Sequence, residues 1–161
     1  MNTDNFTARP LEAGIAFERT KGECVVTTDV SRFDLSAIHD FLTHCYWSEG
    51  IPRETVERAI SHSLCFGLLE GEKQIGLARV ISDFATYAYL CDVYVLEAYR
   101  GRGLGTWLMS CVVSHPALQG LRRFTLLTRD AHALYRKFGF GESKHPGRYM
   151  EIHHADIYKK K

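Results

Sequence analysis

The chain has 161 residues and a formal net charge of +1, with 45% hydrophobic and 24% charged residues. This length favours one domain with a single large core, and the near-neutral charge gives no electrostatic basis for binding nucleic acid. No apolar run approaches the roughly 20 residues of a membrane span, and the N-terminus lacks the basic and apolar regions of a secretory signal, so neither a membrane partner nor export is expected.

The cysteine and histidine patterns argue against disulfides and metals. An odd number of widely spaced cysteines, mostly within apolar patterns and with no C-x-x-C pair, is typical of buried free thiols in a cytoplasmic protein. His132, His153 and His154 have no Cys, Asp or Glu at metal-ligand spacing, so no metal is expected. The cysteines are Cys24, Cys45, Cys65, Cys91 and Cys111.

The beginning of the chain shows little regular pattern. Residues 1–20 have weak periodicity and are expected to form an irregular N-terminal extension, followed by a domain over 21–161. The β-branched residues at 23–28 predict a first strand.

Two helices are predicted next. Apolar residues at helical spacing over 35–45 predict the first, capped by Ser31 or Asp34. Pro52 suits the first position of the second, because proline lacks an N–H that a helix start would leave unpaired anyway. The loop between them, residues 46–51, carries large aromatic side chains.

An antiparallel meander then leads into a third helix. Runs at 64–69 and 74–81 predict a hairpin, and 86–96 predicts a long third strand. After a glycine-rich turn, apolar residues over 104–112 form one continuous helical stripe.

The last part predicts a strand at 122–127 and a short helix at 131–138 with Asp130 as its cap. Phe140 and residues 149–153 are the remaining strand candidates. The resulting pattern is α+β, with a mostly antiparallel central sheet flanked by helices.

The glycine-rich turn contains glycines at 101, 103 and 105, between a strand and a helix. Glycine lets backbone amides approach a ligand closely, and the first N–H groups of a helix attract anions. Arg100 and Arg102 add positive charge, so the turn indicates a phosphate or pyrophosphate site. A dinucleotide-binding fingerprint would need glycine where Thr106 stands, and a P-loop would need a Gly-Lys-Ser/Thr that is absent from the sequence. Both of these phosphate-binding motifs are therefore disfavoured.

Two motifs resemble the GNAT superfamily of acetyl-CoA-dependent N-acetyltransferases. Arg100-x-x-Gly103-x-Gly105 is similar to the family's Arg/Gln-x-x-Gly-x-Gly/Ala signature, and residues 128–140 resemble its later motif, ending in Leu-Tyr-x-x-x-Gly-Phe. The predicted order of elements is also that of the family. The resemblance covers residues 23–153 and implies a GNAT (acyl-CoA N-acyltransferase) fold and transfer of an acetyl group from acetyl-CoA to a primary amine by direct attack.

The resemblance also implies how the coenzyme is held. The loop amides would cradle the pyrophosphate, and the preceding strand would pair with the pantetheine arm, with an N–H near Val95 polarising the thioester carbonyl. Thr128 stands where the family often has an Asn that bonds the pantetheine. The implied coenzyme site comprises Val93, Tyr94, Val95, Arg100, Gly101, Arg102, Gly103, Leu104, Gly105, Thr106 and Thr128.

Proton transfer is less fully specified. Tyr135 stands at the family's usual general-acid position, although it also lies on the apolar stripe of its helix and could serve packing. The family often places Glu or His, as a base, where Tyr89 stands. Asp92 and Glu97 are further candidates by proximity, and a water relay is an alternative. Side chains alternate along a strand, so Asp92 faces away from Tyr89 unless a bulge intervenes.

The family implies that the acceptor site is shaped by the loop between the first two helices and by residues 144–149. Tyr46 and Trp47 could stack on an aromatic or cationic acceptor and Glu49 could attract an amine, or one of the aromatics could close the core. The expected acceptor is a small amine-bearing molecule. A peptide or protein N-terminus is the rival, and a non-catalytic acyl-CoA sensor is the alternative from another class. Family members are often dimers, which makes a homodimer an expectation.

Overall fold

The computed structural model describes residues 16–159, so most of the predicted extension lies outside the described residues. Strand β1 (Glu18–Lys21) pairs antiparallel with β2 (Cys24–Thr27). The expectation of an irregular lead-in is therefore wrong for residues 18–20. All four residues of β1 are exposed, so this edge strand carries no hydrophobic alternation by which sequence could reveal it.

In the described part of the chain, six strands form one sheet in chain order. After β2 come β3 (Leu64–Glu70), β4 (Lys73–Ser82), β5 (Tyr87–Val95) and β6 (Arg123–Leu126). All neighbours are antiparallel except β5 and β6, which run parallel. The predicted strand at 23–28, the hairpin and the long third strand are confirmed.

Between residues 16 and 159, four α-helices flank the sheet: α1 (Leu35–His44), α2 (Arg53–Ser61), α3 (Leu104–Val113) and α4 (His132–Arg136). Asp34 caps α1 by accepting hydrogen bonds from the amides of Ser36 and Ala37, as predicted. Pro52 is the residue before α2 rather than its first residue. The predicted α+β class is confirmed, and none of the helices within residues 16–159 is long and apolar enough to cross a membrane.

Hydrophobic clusters lie on both faces of the sheet. The larger one packs α3 against the sheet, with Phe66 and Leu108 fully buried. The smaller one packs α1 and α2 on the opposite face, with Ile38, Val56 and Leu77 buried. Helices α1 and α2 therefore sit on one side of the strands and α3 on the other.

The C-terminal part departs from the predictions. α4 is shorter than predicted because its last turn tightens, with Lys137 bonding Leu134, and Asp130 does not cap it. The strands predicted at Phe140 and at 149–153 are absent. Residues 149–153 are exposed and pair with no strand of the sheet, so their strand-like composition finds no partner.

We expect Gly76→Ala to lower the free energy of unfolding by about 2 kcal/mol. A methyl group built on Gly76 would lie 2.7 Å from the carbonyl oxygen of Tyr94, a backbone atom that cannot swing aside. Urea denaturation measures the change. Gly141→Ala is the control, because no atom lies within 4 Å of the added methyl there. Equal midpoints for the two variants would contradict the prediction.

Candidate active site

The pairing of β5 with β6 ends partway along β5, and we call the space beside the unpaired residues 91–95 the cleft. The two strands pair only from Tyr87 with Arg123 to Leu90 with Leu126. Beyond Leu90, residues 91–95 of β5 have no strand on that side among the described residues. Val93, Tyr94 and Val95, predicted to line the coenzyme arm, all lie on this unpaired stretch. A free strand edge offers backbone amides to an extended ligand.

A β-bulge lies at the start of the cleft. Arg79 pairs with Cys91 and Leu77 pairs with Tyr94, so two residues of β5, Asp92 and Val93, lie opposite Ala78. Asp92 has a φ of 50°, a left-handed conformation that Asp adopts more readily than most residues. The bulge breaks the alternation of side chains expected along this strand.

Asp92 is the centre of a polar network. Its carboxylate accepts one hydrogen bond from Arg79 Nε at 2.7 Å and another from Trp47 Nε1 at 3.1 Å. Arg79 also donates to Ser63 Oγ at 3.1 Å. The Arg79 and Asp92 side chains are only 15% and 12% exposed. Both carboxylate oxygens already accept from the protein, so a role for Asp92 as base stays a prediction.

The glycine loop is shaped as an open anion cradle. Gly101 and Gly103 have φ of 77° and 72°, which glycine adopts without strain. Gly103 precedes α3, and no side chain caps the helix start. The predicted Leu104, Gly105 and Thr106 form its first turn. Their amide N–H groups have no intrahelical acceptor and are available to a ligand.

The two arginines of the glycine loop bind different parts of the sheet. Arg100 donates to the Val95 carbonyl at 3.0 Å, which ties the loop to β5. Arg102 pairs with Glu70 of β3 at 2.7 Å. A methyl group on Gly103 would lie 3.8 Å from Lys21 Nζ, so a third cation stands beside the cradle. Lys21 could not be predicted from the sequence, because it is the last residue of β1, an exposed strand that belongs to no recognised motif.

Tyr135 lies on α4 and is 8% exposed. Its ring meets Phe140 edge-on at 6.0 Å. Burial, with smaller contributions from Tyr46 and Asp130, raises the pKa of Tyr135 to about 12. The phenol therefore keeps its proton at neutral pH, the first requirement for an acid. Thr128 accepts a hydrogen bond from the Ala131 amide at 3.0 Å and so orders the start of α4.

The aromatic residues between α1 and α2 do not close the core. Tyr46 is 53% exposed and Trp47 is 42% exposed. The guanidinium carbon of Arg129 lies 3.8 Å from the centre of the Tyr46 ring. This cation–π contact joins the α1–α2 loop to the loop that precedes α4. Arg129 lies within the later motif at 128–140, but no sequence pattern predicts its contact with Tyr46, since the two residues are more than 80 positions apart.

The C-terminal segment, residues 141–159, runs from α4 back to the α1–α2 loop. A methyl group on Gly50 would lie 2.9 Å from the Tyr158 carbonyl oxygen, and Lys159 Nζ is 4.0 Å from a carboxylate oxygen of Glu49. The first part of the segment, residues 141–151, lines one side of an open cavity of about 1090 Å³ beside β6. Tyr89, Thr128 and Tyr135 line this cavity, and burial raises the pKa of Tyr89.

The cysteines and acidic residues show no metal-binding arrangement. All five cysteines are free. Within residues 16–159, no three His, Cys, Asp or Glu side chains are grouped so that they could hold a metal ion.

Comparison with known proteins points to one family. The sequence model of the acetyltransferase (GNAT) family matches residues 35–140. A candidate acetyltransferase of Gibberella zeae is 33% identical in an alignment 141 residues long, which covers 73% of this chain and 78% of that protein.

Solved structures agree with this match. A candidate GNAT-family acetyltransferase from Xanthomonas campestris pv. campestris is 48% identical, with a TM-score of 0.83 over 85% of this chain and 97% of that one. A GNAT-family acetyltransferase of Elizabethkingia anophelis, solved with acetyl-CoA bound, shares the fold at 15% identity and a TM-score of 0.59, over 81% of this chain and 88% of that one.

Proposed function

Because this chain belongs to the acetyltransferase (GNAT) family, we propose that it transfers the acetyl group of acetyl-CoA to a primary amine of a small-molecule acceptor. One observation carries the proposal. The unpaired half of β5 is followed by the glycine loop and by a helix start that no side chain caps. The strand edge can pair with the amides of an extended ligand, and the helix start can bind phosphates at the end of that ligand.

The chain's own residues fit acetyl-CoA, which would supply the acetyl group as a thioester. The amides around Gly103 would bind the pyrophosphate, and Lys21 and Arg100 would offset its charge. The free edge of β5 at Val93 and Val95 would pair with the amides of the pantetheine arm. Binding of acetyl-CoA by the Elizabethkingia anophelis relative supports this assignment.

Two protons must move during the transfer. Tyr135 would donate one to the departing thiolate, because its phenol remains protonated and lines the cavity around β6. The amine must also lose a proton. Burial raises the pKa of Tyr89, so this side chain stays a neutral phenol, which is a poor acceptor for the proton of the amine. Asp92, or a water molecule bonded to it, is the better candidate, because its carboxylate stands at the bulge where the cleft opens.

Coenzyme binding tests the proposal first. Acetyl-CoA at about 100 times its Kd should raise the melting temperature by about 5–10 °C. Gly105→Val should abolish this shift, because the added Cβ meets no protein atom closer than 4.0 Å, so the chain accommodates it and the extra bulk takes space at the helix start where the pyrophosphate would bind. Gly71→Asn, in the β3–β4 turn with a φ of 59°, is the control. A wild type that no acyl-CoA stabilises would refute the proposal.

Turnover tests the reaction. Free-thiol release from acetyl-CoA should depend on an added amine, in a panel of small amines and short peptides. Release with peptides alone would favour the rival acceptor class. Stabilisation by acetyl-CoA without release by any amine would favour a non-catalytic sensor.

A further inference from the structure

The cavity around β6 has a floor made by the sheet. Tyr87, Tyr89 and Thr125 line it, and the Tyr87 hydroxyl lies 2.7 Å from Thr125 Oγ1. Thr128 and Tyr135 line its other end, beyond the last residue of β6. If acetyl transfer takes place beside Tyr135, as proposed above, the remainder of the cavity along β6 holds the rest of the acceptor.

The walls of this cavity are more basic than acidic. Four lining residues are Arg or Lys and two are Glu. Of the four basic residues, Arg136 has a Glu142 carboxylate oxygen 3.8 Å away. The other three basic residues have no carboxylate oxygen within 4.0 Å among residues 16–159. They are Arg123, Lys144 and Arg148. A positive cavity attracts anionic groups and disfavours a second ammonium group.

Arg123 is held in position for such a group. Its Nη1 donates to the Tyr149 hydroxyl at 3.4 Å, and its guanidinium carbon lies 5.7 Å from the centre of the Tyr149 ring. Guanidinium has further N–H donors in a planar fork that suits carboxylate and phosphate oxygens. The contact with Tyr149 therefore orients the side chain and leaves donors for a ligand.

Its place in the sheet separates Arg123 from the coenzyme phosphates. Arg123 pairs with Tyr87, the first residue of β5, whereas the glycine loop follows Val95 at the other end of that strand. Eight residues of strand span about 26 Å. The basic end of the cavity is thus remote from the cradle that would bind the pyrophosphate.

From this arrangement we infer that the acceptor carries an anionic group, a carboxylate or a phosphate, about 10 Å from its reactive amine, which is the length of β6 from Arg123 to Leu126. Arg123, Lys144 and Arg148 bind that group. The inference rests on the proposed function and names the class of its substrate. An α-amino acid is too short to span the cavity, and a diamine places a second positive charge against the basic residues.

Three matched amines test the inference. Octylamine, 8-aminooctanoate and octane-1,8-diamine share one amine and chain length and differ at the far end. We expect kcat/KM for 8-aminooctanoate to exceed that for octylamine by about tenfold, with the diamine lowest. Adding 8-aminooctyl phosphate shows which anion the site prefers. Calorimetric titration of 8-aminooctanoate into the CoA-saturated protein measures binding independently of turnover.

Variants locate the effect. Arg123→Gln and Arg148→Gln should each raise KM for 8-aminooctanoate about tenfold and leave KM for acetyl-CoA unchanged. Arg122→Gln is the matched control, because its exposed side chain does not line the cavity. A higher KM for acetyl-CoA in the Arg123 variant would assign the basic end to the coenzyme and overturn the inference.

Failure of the inference differs from failure of the proposed function. Octylamine turnover equal to that of 8-aminooctanoate would overturn only the inference. So would 8-aminooctanoate that is neither acetylated nor bound while other amines release thiol. A protein that acetyl-CoA does not stabilise would overturn both.

Discussion

Tyr135→Phe is expected to lower kcat about 100-fold while acetyl-CoA still binds. The substitution removes only the hydroxyl group and keeps the ring that packs against Phe140. Without this phenol, the thiolate would have to leave as an anion or take its proton from water. Steady-state thiol release measures kcat, and the thermal shift with acetyl-CoA shows that the coenzyme site survives.

The pH profile gives a second measurement. An ordinary phenol has a pKa of about 10, so an exposed tyrosine would lose its proton as pH rises through that value. Burial raises the pKa of Tyr135 to about 12, so its acid form persists at higher pH. No decline in wild-type kcat from this group is expected between pH 7 and 10. A variant with unchanged kcat across this range would assign Tyr135 to packing.

Arg79→Met is expected to lower the free energy of unfolding by about 3 kcal/mol. The substitution keeps the side-chain length and removes the cation from a pair whose members are 15% and 12% exposed. The carboxylate of Asp92 would remain in a poorly solvated place with only the Trp47 indole as donor. Urea denaturation at neutral pH measures the loss.

A double-mutant cycle separates the pair from other effects. Arg79→Met with Asp92→Asn removes both charges and should recover at least about 1 kcal/mol relative to Arg79→Met alone. Arg53→Met is the matched control, because Arg53 pairs with Glu57 at the same 2.7 Å but is 48% exposed. Exposed pairs of this kind contribute about 0.5 kcal/mol. Equal losses for the Arg79 and Arg53 variants would show that burial adds nothing to the Asp92 pair.

Local signals in the sequence were enough to predict the glycine loop and the helices on either side of the sheet. The cap at Asp34 and the strand-glycine-helix order around Gly103 each depend on residues only a few positions apart. Turn chemistry and hydrophobic periodicity act at that range, so these elements can be recognised from one sequence. The tight turn between β3 and β4 follows from the same kind of signal.

Contacts between distant segments could not be predicted in this way. The bond between Trp47 and Asp92 joins residues 45 positions apart, and it depends on a bulge that no residue pattern specifies. Lys21 reaches the glycine loop from a strand that is exposed throughout. Conversely, residues 149–153 have strand-forming composition but lack a neighbouring strand, and pairing decides whether a strand forms.

The proposed coenzyme site and the cavity around β6 differ in how they are built. The coenzyme would lie against β5 and α3, which pack in the main hydrophobic cluster. The cavity is lined on one side by the C-terminal segment, whose residues from Gly141 to Asp156 are exposed. Substitutions on exposed residues usually change stability by less than about 0.5 kcal/mol. Selection can therefore exchange one acceptor for another by altering this segment while the core that holds the coenzyme stays intact, which makes substrate choice the readily evolvable property of this scaffold.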